Sequence, residues 1–209
     1  YKKCPNGNSA GGLFVGGTMK QMKVAITGGI GSGKSYVCSV LKKHGIDVYD
    51  CDDAAKRIMH CDSNVRQSLI DLIGKDAYVD DNINRPLISS YILSSVDNAA
   101  RVNAIVHPAV AEDFIKSEMS IMECAILFSS GFDALVDKVV CVTAPIEVRV
   151  ERVIKRDGIS REKALDWINC QMEQSELIAR SDYVVENDGK CDVELLVEKM
   201  IKDLNLLKH

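Results

Sequence analysis

The stretch that most narrows the possible folds is G-G-I-G-S-G-K-S, Gly28 to Ser35, which directly follows the β-branched run K-V-A-I-T. It fits G-x-x-x-x-G-K-[ST], in which glycines permit positive φ angles and keep side chains out of the path of a phosphate. Successive N–H groups of such a loop point inward, and the helix that it opens adds partial positive charge. Gly29, Ile30, Gly31, Ser32 and Gly33 are therefore expected to cradle phosphates. Lys34 is expected at the β- and γ-phosphates, Ser35 with its hydroxyl on Mg²⁺, and the Tyr36 backbone N–H at the α-phosphate. A dinucleotide fingerprint fits poorly, because its third glycine, counted from Gly31, falls on Tyr36. The motif points to a nucleoside triphosphate and leaves open what happens to it.

The rest of the chain continues the strand–helix rhythm. A helix is expected from Lys34 to about His44, stopped by Gly45, and a second buried strand from Ile46 to Asp50. Further strands are expected over Glu123–Phe128, Lys138–Thr143 and Tyr183–Glu186, with helices over Pro145–Arg156 and Ser160–Gln171. This alternation implies an α/β fold, three layers around a parallel five-stranded sheet. Residues 61–120 break the rhythm: helical spacing punctuated by Gly74, Pro86 and Pro108, with no convincing strand. They read as a helical insertion into a core made of residues 22–60 and 121–209, while the Gly- and Asn-rich residues 1–21 read as a flexible leader.

Composition limits the class. Lysine plus arginine against aspartate plus glutamate gives 26 − 30 = −4, which argues against a dedicated nucleic-acid-binding surface. The eight cysteines are scattered and none forms C-x-x-C, so reduced thiols in a cytoplasmic protein are expected. No apolar run has the length of a membrane span, and no signal-peptide core is evident. Oligomeric state is not legible.

Val48 to Asp53, V-Y-D-C-D-D, puts three carboxylates and a thiol at the end of the second strand. Ligands of open parallel sheets bind beyond the carboxyl ends of the strands, where the phosphate loop also lies. A metal site of Cys51 with the aspartates suffers from adjacency, since neighbouring residues rarely converge on one ion. Asp52 or Asp53 is a plausible cap for a helix starting at A-A-K-R-I-M. That leaves another carboxylate free to accept a proton from a hydroxyl attacking a γ-phosphate.

T-G-G-I-G-S-G-K-S, I-D-V-Y-D-C-D-D-A-A and I-V-H-P-A-V together resemble the dephospho-coenzyme A kinase family. So do Arg85 in I-N-R-P-L, the run R-V-I-K-R-D, Gln171, and D-Y-V-V-E-N-D-G. The resemblance runs from about Met22 to the C-terminal helix. It implies a P-loop kinase core, ATP and dephospho-CoA as substrates, Mg²⁺ with ATP, and phosphorylation of the ribose 3′-hydroxyl. It also implies a helical substrate domain at 61–120 and a short lid near 152–160.

By the same resemblance Asp52 is the general base and Asp50 the other carboxylate of the pair, a substrate residue organising Mg²⁺ or the acceptor site, while Arg85 and His107 fall where the CoA substrate is received. Arg152 and Arg156 would serve on the lid, and Asn187 near the adenine of the nucleotide; Arg149 fits an ordinary solvated helix face about as well. Two departures stand out: Ser129 in A-I-L-F-S replaces the family's usual glutamate on the third strand, and Tyr36 its usual threonine. Other readings are a different small-molecule or nucleoside monophosphate kinase on the same core, or a nucleotide-dependent switch, for which no N-K-x-D signature is present.

Overall fold

A computed structural model describes residues 21–207. The expected leader therefore lies outside the described residues, apart from Gln21. In chain order the strands are β1 (Val24–Thr27), β2 (Val48–Asp50), β3 (Tyr78–Val79), β4 (Asn82–Ile83), β5 (Ile121–Glu123), β6 (Lys138–Thr143) and β7 (Tyr183–Glu186). The helices are α1 (Lys34–Lys43), α2 (Cys51–Cys61), α3 (Ser63–Ile73), α4 (Arg85–Ser94) and α5 (Val96–Lys116). They continue as α6 (Leu127–Ser130), α7 (Ile146–Asp157), α8 (Arg161–Asn169), α9 (Gln174–Ala179) and α10 (Val193–Asp203).

Five strands form a parallel sheet in the order β2-β5-β1-β6-β7. Side chains alternate across a strand, and the two faces of the sheet carry separate cores. Val24, Ile26, Val48, Ile121, Val140 and Val142 pack with α1 and α10. Ala25, Tyr49, Met122 and Val139 face the other way and share a core with α2, α3 and α5. The helical segment 61–120 is thus seated directly on the sheet rather than hanging from it. Because Asp50 lies beside Glu123 and Glu123 beside Ile26, three strand ends converge at one carboxyl edge.

Three expectations needed correction. The third strand is Ile121–Glu123, ending where it was expected to begin, and Leu127–Ser130 is a short helix. A brief apolar run does not distinguish strand from buried helix. Pairing with β1 and β2 selects I-M-E, and Ser129 lies beyond the strand with its hydroxyl on Ile126 O at 3.1 Å.

Pro108 does not break a helix: α5 runs through it. A proline there forfeits a backbone hydrogen bond, but Val102, Val106, Val110 and Phe114 are buried at every fourth position on both sides of it, holding the helix together. Pro86, in the first turn of α4, starts a helix instead of separating two.

The third correction is a two-stranded antiparallel ribbon inside 61–120, pairing Tyr78 with Ile83 and Val79 with Asn82. Two residues per strand are too few to show a period. Asp80 and Asp81 turn the chain at φ 49° and 64°, the positive values that a tight hairpin requires.

Candidate active site

The phosphate loop links β1 to α1. Gly33, at φ 94°, starts the helix, and a Cβ there would lie 2.1 Å from Asn187 Nδ2. At Gly31, φ 77°, a Cβ would meet the Arg149 carbonyl at 2.5 Å. The first turn of α1 contains no acid and no side chain caps it, so its free N–H groups and positive end are left for an anion. Ser32 is fully buried, and its Oγ has no hydrogen-bond partner among the described residues.

Lys34 Nζ donates to Gly28 O at 2.7 Å and to Gly29 O at 3.4 Å. Burial lowers its pKa, while the nearby carboxylates of Glu123 and Asp52 oppose that shift. Ser35 Oγ donates to Glu123 Oε1 at 3.1 Å.

The phosphate loop is gripped by α7 and by the loop after β7. Arg149 is buried, not on a solvated face, and its Nε donates to Ile30 O at 2.9 Å. Arg152 donates to Gly31 O and Ser32 O, both at 3.2 Å, and to Asn187 Oδ1 at 2.9 Å. Asn187, also buried, donates from Nδ2 to Ser32 O at 3.0 Å. From just beyond α8, Gln171 Oε1 accepts the Ile30 N–H at 2.7 Å. Asn187 therefore braces the loop.

In front of the loop is a cleft of about 600 Å³. Ile30, Gly31, Gly33, Lys34 and Ser35 form one wall, Asp50, Asp52 and Glu123 another, and Arg152, Arg156 and Gln171 a third. Arg156 pairs with its neighbour Asp157 at 2.8 Å.

The acids of D-C-D-D separate cleanly. Asp50 is the cap of α2, its Oδ1 accepting the Asp53 N–H at 2.9 Å, so the cap expected at Asp52 or Asp53 falls two or three residues earlier. The helix starts as soon as β2 ends, so the last strand residue is the one placed to cap it. Asp53 is exposed and paired with Lys56 at 2.8 Å. Cys51 is buried; a hydrogen bond with Cys124, together with burial, pushes its thiol up, so it stays protonated. No group of three or more His, Cys, Asp or Glu side chains among the described residues is disposed to hold a metal ion.

A second, smaller cavity of about 180 Å³ lies between α2, α4 and α5, with His107 in its wall. Asp52 lines both this cavity and the cleft, and no other described residue does. The remaining expected site residues lie apart: Gly29 and Ser32 are buried in the loop, Tyr36 is exposed with its hydroxyl 3.4 Å from Glu194, and Arg85, exposed at the start of α4, lines neither cavity.

Glu123 is the site residue that sequence reasoning missed. An acid closing a buried parallel strand was the available signal, but with the strand expected to begin there, Glu123 was assigned to the wrong edge of the sheet.

A family model described as dephospho-CoA kinase matches residues 22–193. Among curated relatives, the dephospho-CoA kinase of Bacteroides fragilis is 40% identical over 176 residues, covering 81% of this chain and 86% of its own. That of Porphyromonas gingivalis is 40% identical over 192 residues, covering 88% and 94%. A crystal structure of a Thermus thermophilus protein superposes with a TM-score of 0.76 at 30% identity, over 90% of this chain and 99% of that one.

Proposed function

The chain belongs to the dephospho-CoA kinase family, and from that premise we propose how its own residues transfer the terminal phosphoryl group of ATP to the ribose 3′-hydroxyl of dephospho-CoA, giving coenzyme A and ADP. The amides of the Gly28–Gly33 loop and the start of α1 bind the ATP phosphates, and Lys34 turns from its carbonyl partners to the β- and γ-phosphates. Asp52 accepts the 3′-hydroxyl proton as that oxygen bonds to the γ-phosphorus and the bond to the β–γ bridging oxygen breaks. Arg152 and Arg156 stabilise charge on the equatorial phosphoryl oxygens. Asp50 holds the start of α2, and with it the Asp52 backbone, in place.

The donor set suits Mg²⁺, which prefers oxygen ligands, keeps several waters and needs only one or two protein groups beside the phosphates. Ser35 and Glu123, already 3.1 Å apart in the cleft, are the residues that would hold it. When bound it neutralises charge on the β- and γ-phosphates.

The observation that carries the proposal is the position of Asp52, among the described residues the one common to the polar cleft and the apolar cavity. A base that takes a proton from an acceptor hydroxyl must border both donor and acceptor. On this reading the helical segment 61–120, with His107 and Arg85, receives the acceptor, and residues 152–160 close over the cleft. A cytoplasmic location accords with seven free thiols among the described residues, none of whose helices is long and apolar enough to cross a membrane.

The test is ADP release from MgATP with and without dephospho-CoA. Release that depends on dephospho-CoA, and far less on nucleoside monophosphates or shikimate, is expected. Acceptor-independent hydrolysis, or preference for another acceptor, would overturn it.

A further inference from the structure

The small cavity beside Asp52 has the chemistry of a base pocket. Its walls are mainly apolar, including Ile92, Val106 and Phe132, and its volume of about 180 Å³ admits one ring system rather than a whole cofactor. Among the described residues no lysine or arginine lines it, so a pyrophosphate would be stripped of water there without compensation. Two polar side chains of α5, Asn103 and His107, stand one helical turn apart in its wall. Neither makes a side-chain hydrogen bond among the described residues, and His107 packs its ring against Phe132 at 5.5 Å between centroids. Burial lowers the His107 pKa, so the imidazole is neutral near pH 7 and offers one donor and one acceptor.

We infer that this cavity receives the purine base of the acceptor nucleotide, with Asn103 reading the edge that carries the 6-amino group. The inference rests on the acceptor reading above, in which the 3′-hydroxyl sits against Asp52. The base is attached to the same ribose, whereas the long arm of dephospho-CoA begins beyond the charged 5′-pyrophosphate. With the hydroxyl at Asp52, the uncharged flat group within reach of the cavity is therefore the purine. A carboxamide is the side chain that pairs in bidentate fashion with the amino group and adjacent ring nitrogen of adenine. Asn103 sits on an exposed position of the helix, so nothing in the core requires an amide there.

The experiment compares kcat/KM for dephospho-CoA with that for its analogue lacking the 6-amino group, in the parent protein and in Asn103→Ala. The parent is expected to prefer the amino form by about 10-fold or more, and Asn103→Ala to bring that ratio close to one while KM for ATP stays unchanged. A merely structural asparagine would leave the ratio alone, and that result, or equal use of both acceptors by the parent, overturns the assignment. Ile92→Phe, which narrows the cavity, should impair dephospho-CoA and an acceptor cut back to adenosine 5′-monophosphate alike. Impairment of dephospho-CoA only would place the arm in the cavity and overturn the assignment. If the parent does not phosphorylate dephospho-CoA at all, the acceptor reading falls and takes this inference with it.

Discussion

Asp50 accepts the backbone N–H of Asp53 at 2.9 Å, so of the three acids of D-C-D-D that line the cleft the first caps α2, the last pairs with Lys56, and the middle one makes no side-chain hydrogen bond among the described residues. Three carboxylates within four residues thereby acquire three different jobs: a cap, a candidate base and a surface partner for Lys56.

Substituting each acid in turn separates these jobs. Asp52→Asn preserves size and loses basicity, so single-turnover transfer with both substrates saturating should slow by roughly 10²–10⁴-fold while ATP still binds. Asp53→Asn should turn over close to the parent. Asp50→Ala should cost about 1 kcal/mol of stability, and Asp50→Asn much less, because asparagine caps nearly as well. A crippled Asp53→Asn beside a healthy Asp52→Asn would mean the base and surface roles are reversed.

The Ser35–Glu123 pair makes a prediction about metal. Ser35→Ala and Glu123→Gln should each raise the Mg²⁺ concentration needed for half-maximal turnover by about 10- to 100-fold. Binding of ATP in the presence of a chelator should change little. Equal losses with and without Mg²⁺ would show that the pair serves the fold of the loop instead.

Asn187 is predicted to matter for the loop rather than for the base of ATP. Asn187→Ala leaves the Ser32 carbonyl with one fewer donor and Arg152 without its side-chain acceptor, both partly or fully out of water. A loss of about 1–3 kcal/mol is expected, with a lower melting temperature and weaker binding of ATP and GTP alike. Selective loss of ATP over GTP would restore the adenine-contact role.

Acid stability should depend on Asp113. Burial alone would raise its pKa, but hydrogen bonds from Arg57 and from Tyr49, the latter at 2.7 Å, outweigh it and hold the carboxyl below the usual range. A carboxylate depressed in the folded state stabilises above its unfolded pKa, about 3.9, and that contribution drains away as pH falls through the folded value. Urea midpoints should therefore fall more steeply below about pH 4 in the parent than in Asp113→Asn. Parallel curves for the two proteins would refute this link between α2, α5 and β2.

Cys51 is predicted to be structural. Cys51→Ser should retain turnover, since burial beside Cys124 holds the thiol protonated and apart from the proton transfer at Asp52. Elemental analysis of the purified protein should find no stoichiometric zinc.

Much of the fold and half of the site could be read from residues in succession. The loop from Gly28 to Ser35 is legible because each of its tasks, positive φ, bare amides, a cation and a hydroxyl, falls on consecutive positions between a strand and a helix. The parallel sheet is legible for a similar reason, since buried strands are short apolar runs with helices between them. Where two local readings had equal merit, neighbours distant in sequence chose. Strand pairing put the end of β5 at Glu123, and the buried stripe of α5 carried the helix through Pro108. The braces of the loop lay wholly beyond local reach: Glu123, Arg149, Gln171 and Asn187 meet it across separations of 88, 119, 141 and 155 residues. Periodicity records which face of an element is buried; which side chain then meets a given carbonyl depends on how the elements stack, and only the packed sheet and helices determine that.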